Sequence, residues 1–570
     1  MLKPWWERWP GRLEFELKEL DQAGIPYELD QAARAAGVIA LRLKPTLDGE
    51  TLNLLAIFPD MYPYTRFEVF AEDLDLEHHQ HPFSKTLCLI GRATRHWKPT
   101  DTLAGFIKNR LPQVLKAARS NNPSDAAELE EHQGEPFSDY YQYAPGTIVF
   151  VDSSWSLDPN TKQGELIIGL GENAGNIVRG AVLEIRDSNR TLLAKADPSL
   201  ARLYPKRMHA RWLRVDAPVR EVNPGRFLDA LVKHNRSLER PLWHPVKGWR
   251  LDVIGVVFPE EVRWRQNSDG WVFVIRAEEL KDKGRRRNGA YLARAGRVGR
   301  EDLTARVPEL APLRDIRVAL VGLGGIGAPS AIEFARSGVG ELRIVDHDIV
   351  DPGTVIRWPL GIPVAGLLKT ETIKNLISDH YPYTQVVAIT HRIGALRGNG
   401  ATDLKILDEF LDGADFIYDA TAEVGIQHLL ADLARERGLP YLCVSTTAGA
   451  WGGLVVRIRP GQTEGCWLCL QHALMDESIP SPLADPAGQT QPVGCADPTF
   501  TGASFDVGQI ALAGVRLAVS TLLGGESGGY TDVDWDVAVI SLRNSAGEII
   551  APRFETFKLN RHPSCECRKK

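Results

Sequence analysis

The run Val318-Ala319-Leu320-Val321-Gly322-Leu323-Gly324-Gly325-Ile326-Gly327 constrains the fold of this chain more than any other segment. Four apolar residues form a buried strand, the glycines form a sharp turn, and the residues from Ile326 to Ser337 have helical spacing. Glycine suits that turn because the backbone must bend tightly and approach phosphate with no β-carbon in the way. The helix that follows offers free N–H groups and a partial positive charge to an anion. A second strand, Glu341 to Val345, runs into Asp346-His347-Asp348, where an acid can bind ribose hydroxyls. These features alone fit a dinucleotide as well as a mononucleotide.

From about residue 300 onward strand and helix alternate, with further strands at Phe416 to Asp419 and Tyr441 to Val444. Such alternation predicts a parallel sheet covered on both faces. The first 120 residues or so read differently. A helical segment, Trp6 to Leu20, precedes strand-like runs at Val38 to Leu43, Thr51 to Phe58 and Arg66 to Phe70, and Thr102 to Ala118 is helical again with Asp101 as its N-cap. A polar stretch from Arg119 to about Asp139 reads as a linker. Between these regions lies a strand-rich block, with runs at Gly146 to Val151, Gly164 to Leu170, Ala181 to Arg186 and Trp249 to Phe258 and no catalytic constellation. The expected fold is therefore α/β and multidomain: an α+β region over 1–135, a β-rich middle over 136–290, and a Rossmann-like region with a parallel sheet over 291–570.

The order of motifs after the glycine turn narrows the reading. Gly353-Thr354-Val355-Ile356-Arg357 follows the acids, then Lys369, then Tyr418-Asp419-Ala420-Thr421. This order resembles the ThiF/MoeB and ubiquitin-activating enzyme superfamily, whose members make acyl-adenylates. The resemblance implies that Gly322, Gly324, Gly325 and Gly327 cradle the triphosphate of ATP. It implies ribose or nucleotide contacts for Asp346, Asp348 and Asp419, and phosphate contacts for Arg357 and Lys369 that offset charge on the leaving pyrophosphate. Thr354 stands where the family has Asn, and Ala422 where it often has a magnesium-binding Asp. Asp419 or Glu423 is then left to serve Mg²⁺. Arg297 or Arg300 is a candidate to reach a neighbouring subunit in a homodimer, with a surface role as the alternative.

The seven cysteines are odd in number and unevenly spaced, which is no disulfide framework. Cys466-Trp467-Leu468-Cys469 and Cys565-Glu566-Cys567 make two close pairs that suit a closed tetrahedral Zn²⁺ site, as in ThiF/MoeB relatives, with His562 a stray candidate. Cys443 lies in an apolar strand and reads as core. Cys495 sits in a Gly/Pro-bounded loop, Val493 to Phe500, a setting from which a thiolate can swing to an adenylate. Thioester-forming relatives carry a nucleophile in that region.

Cys88 lies in a second pattern: Phe58-Pro59-Asp60-Met61-Tyr62-Pro63, His81-Pro82-Phe83, Leu87-Cys88-Leu89 and Trp97-Lys98-Pro99. This resembles the ubiquitin-conjugating enzyme core and implies that Cys88 carries a thioester. Phe83 replaces the usual Asn after His-Pro, leaving His78, His79, His81 or a backbone N–H as alternatives for the oxyanion donor.

Together the two resemblances imply a relay: ATP-dependent adenylation of a carrier C-terminus, thioester formation on Cys495, transfer to Cys88, and amide formation with a target amine. The fused order resembles the activating–conjugating fusions of CBASS antiphage operons. The modifier is then a ubiquitin-like protein or the C-terminus of a cGAS-like nucleotidyltransferase. The alternative is adenylation of a sulfur carrier, with the N-terminal region as a docking module. A net charge of −6 argues against nucleic acid as the main partner. The start Met1-Leu2-Lys3-Pro4 lacks a signal-peptide core, and no uninterrupted apolar run reaches span length, so the expected compartment is the cytoplasm.

Overall fold

The computed structural model describes residues 3–89, 97–119, 134–171, 177–263, 266–280, 287–394, 402–490, 499–524 and 530–569. The chain forms two compact units. The first holds residues 1–151, 155–197 and 204–297; the second holds 298–570 together with the short segments 152–154 and 198–203.

In the first unit a one-turn helix, Trp5–Arg8, leads into helix α1 (Pro10–Gln22), entered through a proline that needs no amide partner at a helix start. An antiparallel meander follows in sequence order: β1 (Tyr27–Leu29), β2 (Ile39–Leu43), β3 (Leu54–Phe58) and β4 (Glu68–Phe70). The alternating burial of Leu54, Ala56 and Phe58 turns one face of β3 inward. Helices α2 (Leu103–Asn109) and α3 (Leu111–Arg119) close the layer. The single helix expected from 102 to 118 is thus two, and its N-cap is Thr102, which accepts from Gly105 N at 3.1 Å. Asp101 instead caps the preceding turn, accepting from Lys98 N at 2.8 Å.

This α+β layer is tied together by one buried carboxylate. Glu16 on α1 pairs with Arg12 at 2.7 Å and accepts from the Tyr62 hydroxyl and from Leu103 N, the first amide of α2, at 2.9 Å. Burial pushes the Glu16 carboxyl up, against the lowering effect of these donors.

The strand-rich block closes on itself among the described residues. Strand Gln163–Leu170 pairs antiparallel with both Lys206–Arg214 and Arg179–Asp187, so the sheet order returns to its start. Its long hairpin, Trp249–Arg263 with Gln266–Glu279, alternates inward and outward residues. Val253, Val257, Phe273 and Ile275 fill one cluster with Trp212, while Ile254, Val256, Val272 and Val274 pack outward against helix Pro224–His234.

The second unit carries the expected parallel sheet. Its strands are β5 (Arg317–Val321), β6 (Glu341–Asp346), β7 (Gln385–Thr390), β8 (Phe416–Asp419), β9 (Tyr441–Thr446), β10 (Gly452–Ile458), β11 (Val537–Arg543) and β12 (Ile549–Phe557). The order is β7-β6-β5-β8-β9-β10-β11-β12; the first five are parallel and the last three are added antiparallel. Helix α4 (Gly327–Arg336) follows β5, and α5 (Lys369–His380) precedes β7. Helix α6 (Ser504–Leu523) has the length and mean hydropathy of a membrane span, yet it packs on α4, β9 and β10, which accounts for its apolar character. Cys443 is buried in β9, as its apolar neighbours imply.

Removing the Glu16 carboxylate leaves the buried Tyr62 hydroxyl and the Leu103 amide without their acceptor and takes the paired charge from Arg12, which keeps the Asp101 carbonyl. We expect Glu16→Ala to destabilise the first unit by about 3 kcal/mol in urea unfolding, and Glu16→Gln by less.

Candidate functional site

The strand order reverses at β5, since β6 and β7 lie on one side of it and β8 on the other. In such sheets a crevice opens at the carboxyl ends of the strands. A cavity of about 700 Å³ lies there, lined by Gly322, Gly324, Asp346, Asp348, Lys369 and Arg392, among others.

The glycine turn is shaped by close approach. Gly322 has φ of +87°, and a β-carbon on it would lie 3.0 Å from the Ala420 backbone. A β-carbon on Gly327 would fall 1.8 Å from the Gly322 carbonyl oxygen, so α4 can start directly beneath the turn only without a side chain there. Gly324 has open space where its β-carbon would be, on the cavity side of the turn. Gly325 lies against the Arg357 side chain, 3.3 Å from its Cδ.

Asp346, at the end of β6, holds the turn in place. One of its oxygens accepts from Leu323 N at 2.6 Å and the other from Asp348 N at 2.8 Å. Lys369, at the start of α5, has its Nζ 2.9 Å from Asp348 Oδ2. Burial pushes the Asp348 carboxyl up, but the Lys369 hydrogen bond and charge outweigh it and hold it below the ordinary range. The lysine charge is thereby fixed on the rim of the cavity, where an anion would meet it.

Two expected ligands, Asp419 and Arg357, are not among the residues that line this cavity. Asp419, at the end of β8, is fully buried behind the cavity wall. Its Oδ1 accepts from Thr421 N at 2.9 Å and Thr421 Oγ1 at 2.7 Å, and its Oδ2 from Tyr441 OH at 2.8 Å. It therefore sets the Ala420–Thr421 loop, with both oxygens engaged by protein donors. Arg357 donates to the carbonyl of Phe500, and burial pushes its pKa down. That carbonyl belongs to the two-residue strand Thr499–Phe500, which pairs with Gln489–Thr490. Cys495 lies between them, outside the described residues.

The sequence reading missed His391 and Arg392 as cavity residues. They directly follow β7, and the β-branched run Val386-Val387-Ala388-Ile389-Thr390 was the signal that would have placed them at a strand end. Glu423, next to Ala422 at φ of +54°, also lines the cavity.

In the first unit Cys88 is exposed, and its amide donates to the His79 carbonyl at 2.7 Å. The three nearby histidines have defined tasks. His78 Nε2 lies 2.9 Å from Glu261 Oε2, and His79 Nδ1 lies 3.3 Å from Glu135 Oε1. His81 Nδ1 accepts from Phe83 N and Ser84 N at 3.2 and 3.1 Å, closing the His-Pro turn. Phe83 has a packing role: its ring sits 5.5 Å from Phe137 and 5.9 Å from Tyr141, against the outward cluster of the closed sheet. An aromatic at this position docks the turn onto the neighbouring strands.

The four cysteines of the two late pairs come together. Their sulfurs all lie within 4.8 Å of one another, with Cys466–Cys469, Cys466–Cys565 and Cys469–Cys567 separations of 3.8, 3.6 and 3.4 Å. Tetrahedral zinc–thiolate bonds of about 2.3 Å require sulfurs about 3.8 Å apart, so the set fits such an ion. His562 is no member of it: its ring pairs with Asp476 at 2.8 Å while its amide donates to Cys469 Sγ at 3.3 Å.

Burial pushes the Asp419 carboxyl up to about 6, against the donors that lower it. A raised carboxyl means that the folded state keeps its proton longer than the unfolded chain. Its stabilising contribution is complete below the ordinary carboxylate pKa and is lost as pH rises through about 6. Relative to Asp419→Asn, the wild-type protein should lose about 2–3 kcal/mol between pH 4 and pH 7, measured by urea unfolding of both at each pH.

Residues 300–566 match the ThiF family, and residues 20–149 match prokaryotic E2 family B. The chain is 31% identical over 592 residues to the uncharacterized protein y4oA of Sinorhizobium fredii (strain NBRC 101917 / NGR234), covering 99% of this chain and 97% of that protein. It is 32% identical over 590 residues to y4qC of the same strain, covering 97% and 96%. Adenylyltransferase and sulfurtransferase UBA4 of Saccharomyces cerevisiae (strain YJM789) is 30% identical over 153 residues, 26% of this chain and 33% of that protein. Among solved structures, E. coli MccB with ATP aligns over 45% of this chain and 68% of its own at 18% identity, with a TM-score of 0.34. With near full-length coverage at above 30% identity, the chain belongs to one family with y4oA and y4qC, and within it carries a prokaryotic E2 family B domain followed by a ThiF family domain.

Proposed function

We propose that this protein adenylates the C-terminal carboxylate of a carrier protein with ATP and passes the acyl group to its own cysteines. The observation that carries the reading is the cavity at the ends of β5, β6 and β8, where Gly324, Asp346 and Lys369 converge. ATP would place its phosphates at the glycine turn and its ribose near Asp346. Lys369 and Arg392 would offset charge on the departing pyrophosphate, with Arg357 reaching the phosphates from beside Gly325. Of the two acids considered for Mg²⁺, Asp419 has both oxygens engaged and Glu423 lines the cavity, so Glu423 is the proposed ligand. Mg²⁺ would supply charge neutralisation across phosphate oxygens.

The acyl-adenylate is a mixed anhydride. A thiolate adds at its carbonyl carbon and AMP leaves, giving a thioester on Cys495. Support for that residue comes from the base of its segment, where Arg357 joins the Phe500 carbonyl to the glycine turn. Thioester exchange would then move the acyl group to Cys88, and a target amine would resolve it to an amide. The four clustered cysteines would hold a structural Zn²⁺ in the second unit. By analogy with CBASS fusions, we propose a cytoplasmic homodimer acting in antiphage defence, on a cGAS-like nucleotidyltransferase or a ubiquitin-like modifier. The similarity to UBA4, named an adenylyltransferase and sulfurtransferase, favours a second reading in which the product is a thiocarboxylate on a sulfur carrier.

With ATP and proteins encoded nearby, Cys495→Ala should abolish both thioesters in intact mass spectra, whereas Cys88→Ala should leave one trapped on Cys495. Lys369→Ala should slow carrier-dependent pyrophosphate exchange by about 10²-fold or more. Exchange that ignores the carrier, or thioesters untouched by either cysteine change, would sink the relay. Elemental analysis should find one zinc per chain, lost in Cys469→Ser together with a lower Tm.

A further inference from the structure

A second cleft of about 640 Å³ lies in the same unit at the opposite ends of the strands, where β5, β6 and β7 begin. Five cations line it: Arg202, Arg300, Arg314, Arg317 and Lys374. Two acids line it, Asp315 and Glu341: Glu341 is engaged by Arg343 at 2.6 Å, and Arg314 lies 3.6 Å from Asp315 and 3.8 Å from Glu301, while Lys374 lies 3.6 Å from Glu371. Among the described residues, Arg202 and Arg317 donate to the carbonyls of Ser378 and Gly413, both at 3.3 Å, which are neutral acceptors.

The base of the cleft is preorganised by backbone pairing. Gly340 N donates to Leu313 O at 3.0 Å, Glu341 N to Ile316 O at 3.1 Å, and Gln385 N to Gly340 O at 2.9 Å. Arg300 lies over the Tyr383 ring at 5.0 Å, and the Tyr383 hydroxyl donates to the Val298 carbonyl. These contacts hold arginines from three chain segments around one concavity.

We propose that this cleft binds a small molecule carrying two or more phosphate groups, at a site separate from the nucleotide cavity. Its volume suits a small molecule, within the usual range of about 300–1,000 Å³. Planar guanidinium forks match phosphate oxygens, and several of them select for multiple charge. A nucleic acid is disfavoured by the chain's net charge of −6. The six residues of β6 put its two ends about 17 Å apart, so one ligand does not reach both sites.

The test is calorimetric titration of the full chain with inorganic tripolyphosphate, in a Lys369→Ala background that weakens the nucleotide cavity. Binding should persist there and weaken when salt is raised from about 50 to about 200 mM. Adding Arg202→Ala and Arg317→Ala should cost at least tenfold in affinity, with Arg202→Lys and Arg317→Lys between the two. Circular dichroism checks folding, and the lysine pair serves if the alanine pair fails to fold. Affinity unchanged by either pair overturns the proposal. So does displacement of tripolyphosphate by poly-L-glutamate at equal charge, which would make the cleft a dock for an acidic protein segment.

Discussion

One carboxylate, Asp346, decides whether the second unit has a site at all. It takes an amide from the glycine turn on one oxygen and an amide from the following loop on the other. The turn and the loop are separate excursions of the chain, and each would be free to relax without the other. Held on a common acceptor, they keep a fixed gap between Gly324 and the Asp348–Lys369 pair. The positive charge of Lys369 is then positioned before any ligand arrives, and little reorganisation remains for the moment of reaction.

How much of this was legible in the sequence depends on how local the determining forces are. The glycine turn could be read because a strand, a bend and a helix start are dictated by residues within ten positions of one another. The Asp419 side chain could not, because its fate depends on Tyr441, which arrives from the neighbouring strand β9. From sequence it is an acid at a strand end; in the fold it is a buried acceptor. The exchange of Asp101 for Thr102 as the α2 cap has a smaller cause of the same kind. Both are capping residues, and the preceding Lys98 amide claims the aspartate first.

The surroundings of Cys88 show the same division. Its place after His-Pro was evident in the linear order. The partners that fix the histidines around it, Glu135 and Glu261, lie far along the chain, and no local pattern announces them. Phe83 is instructive here. Against the family pattern it is a missing polar group, whereas in the fold it is an aromatic packed on Phe137 and Tyr141. A departure at a motif position can therefore record a neighbouring sheet and need not record a lost reaction.

The short helix Pro198–Leu203 belongs to the second unit, although strands of the first unit flank it in the chain, and Asp152–Ser154 behaves likewise. The polypeptide thus passes from one unit to the other five times and not once. A gene cut at any single codon strands a piece of one inside the other, so recombination cannot trade either half for a homologue without carrying the interleaved segments along.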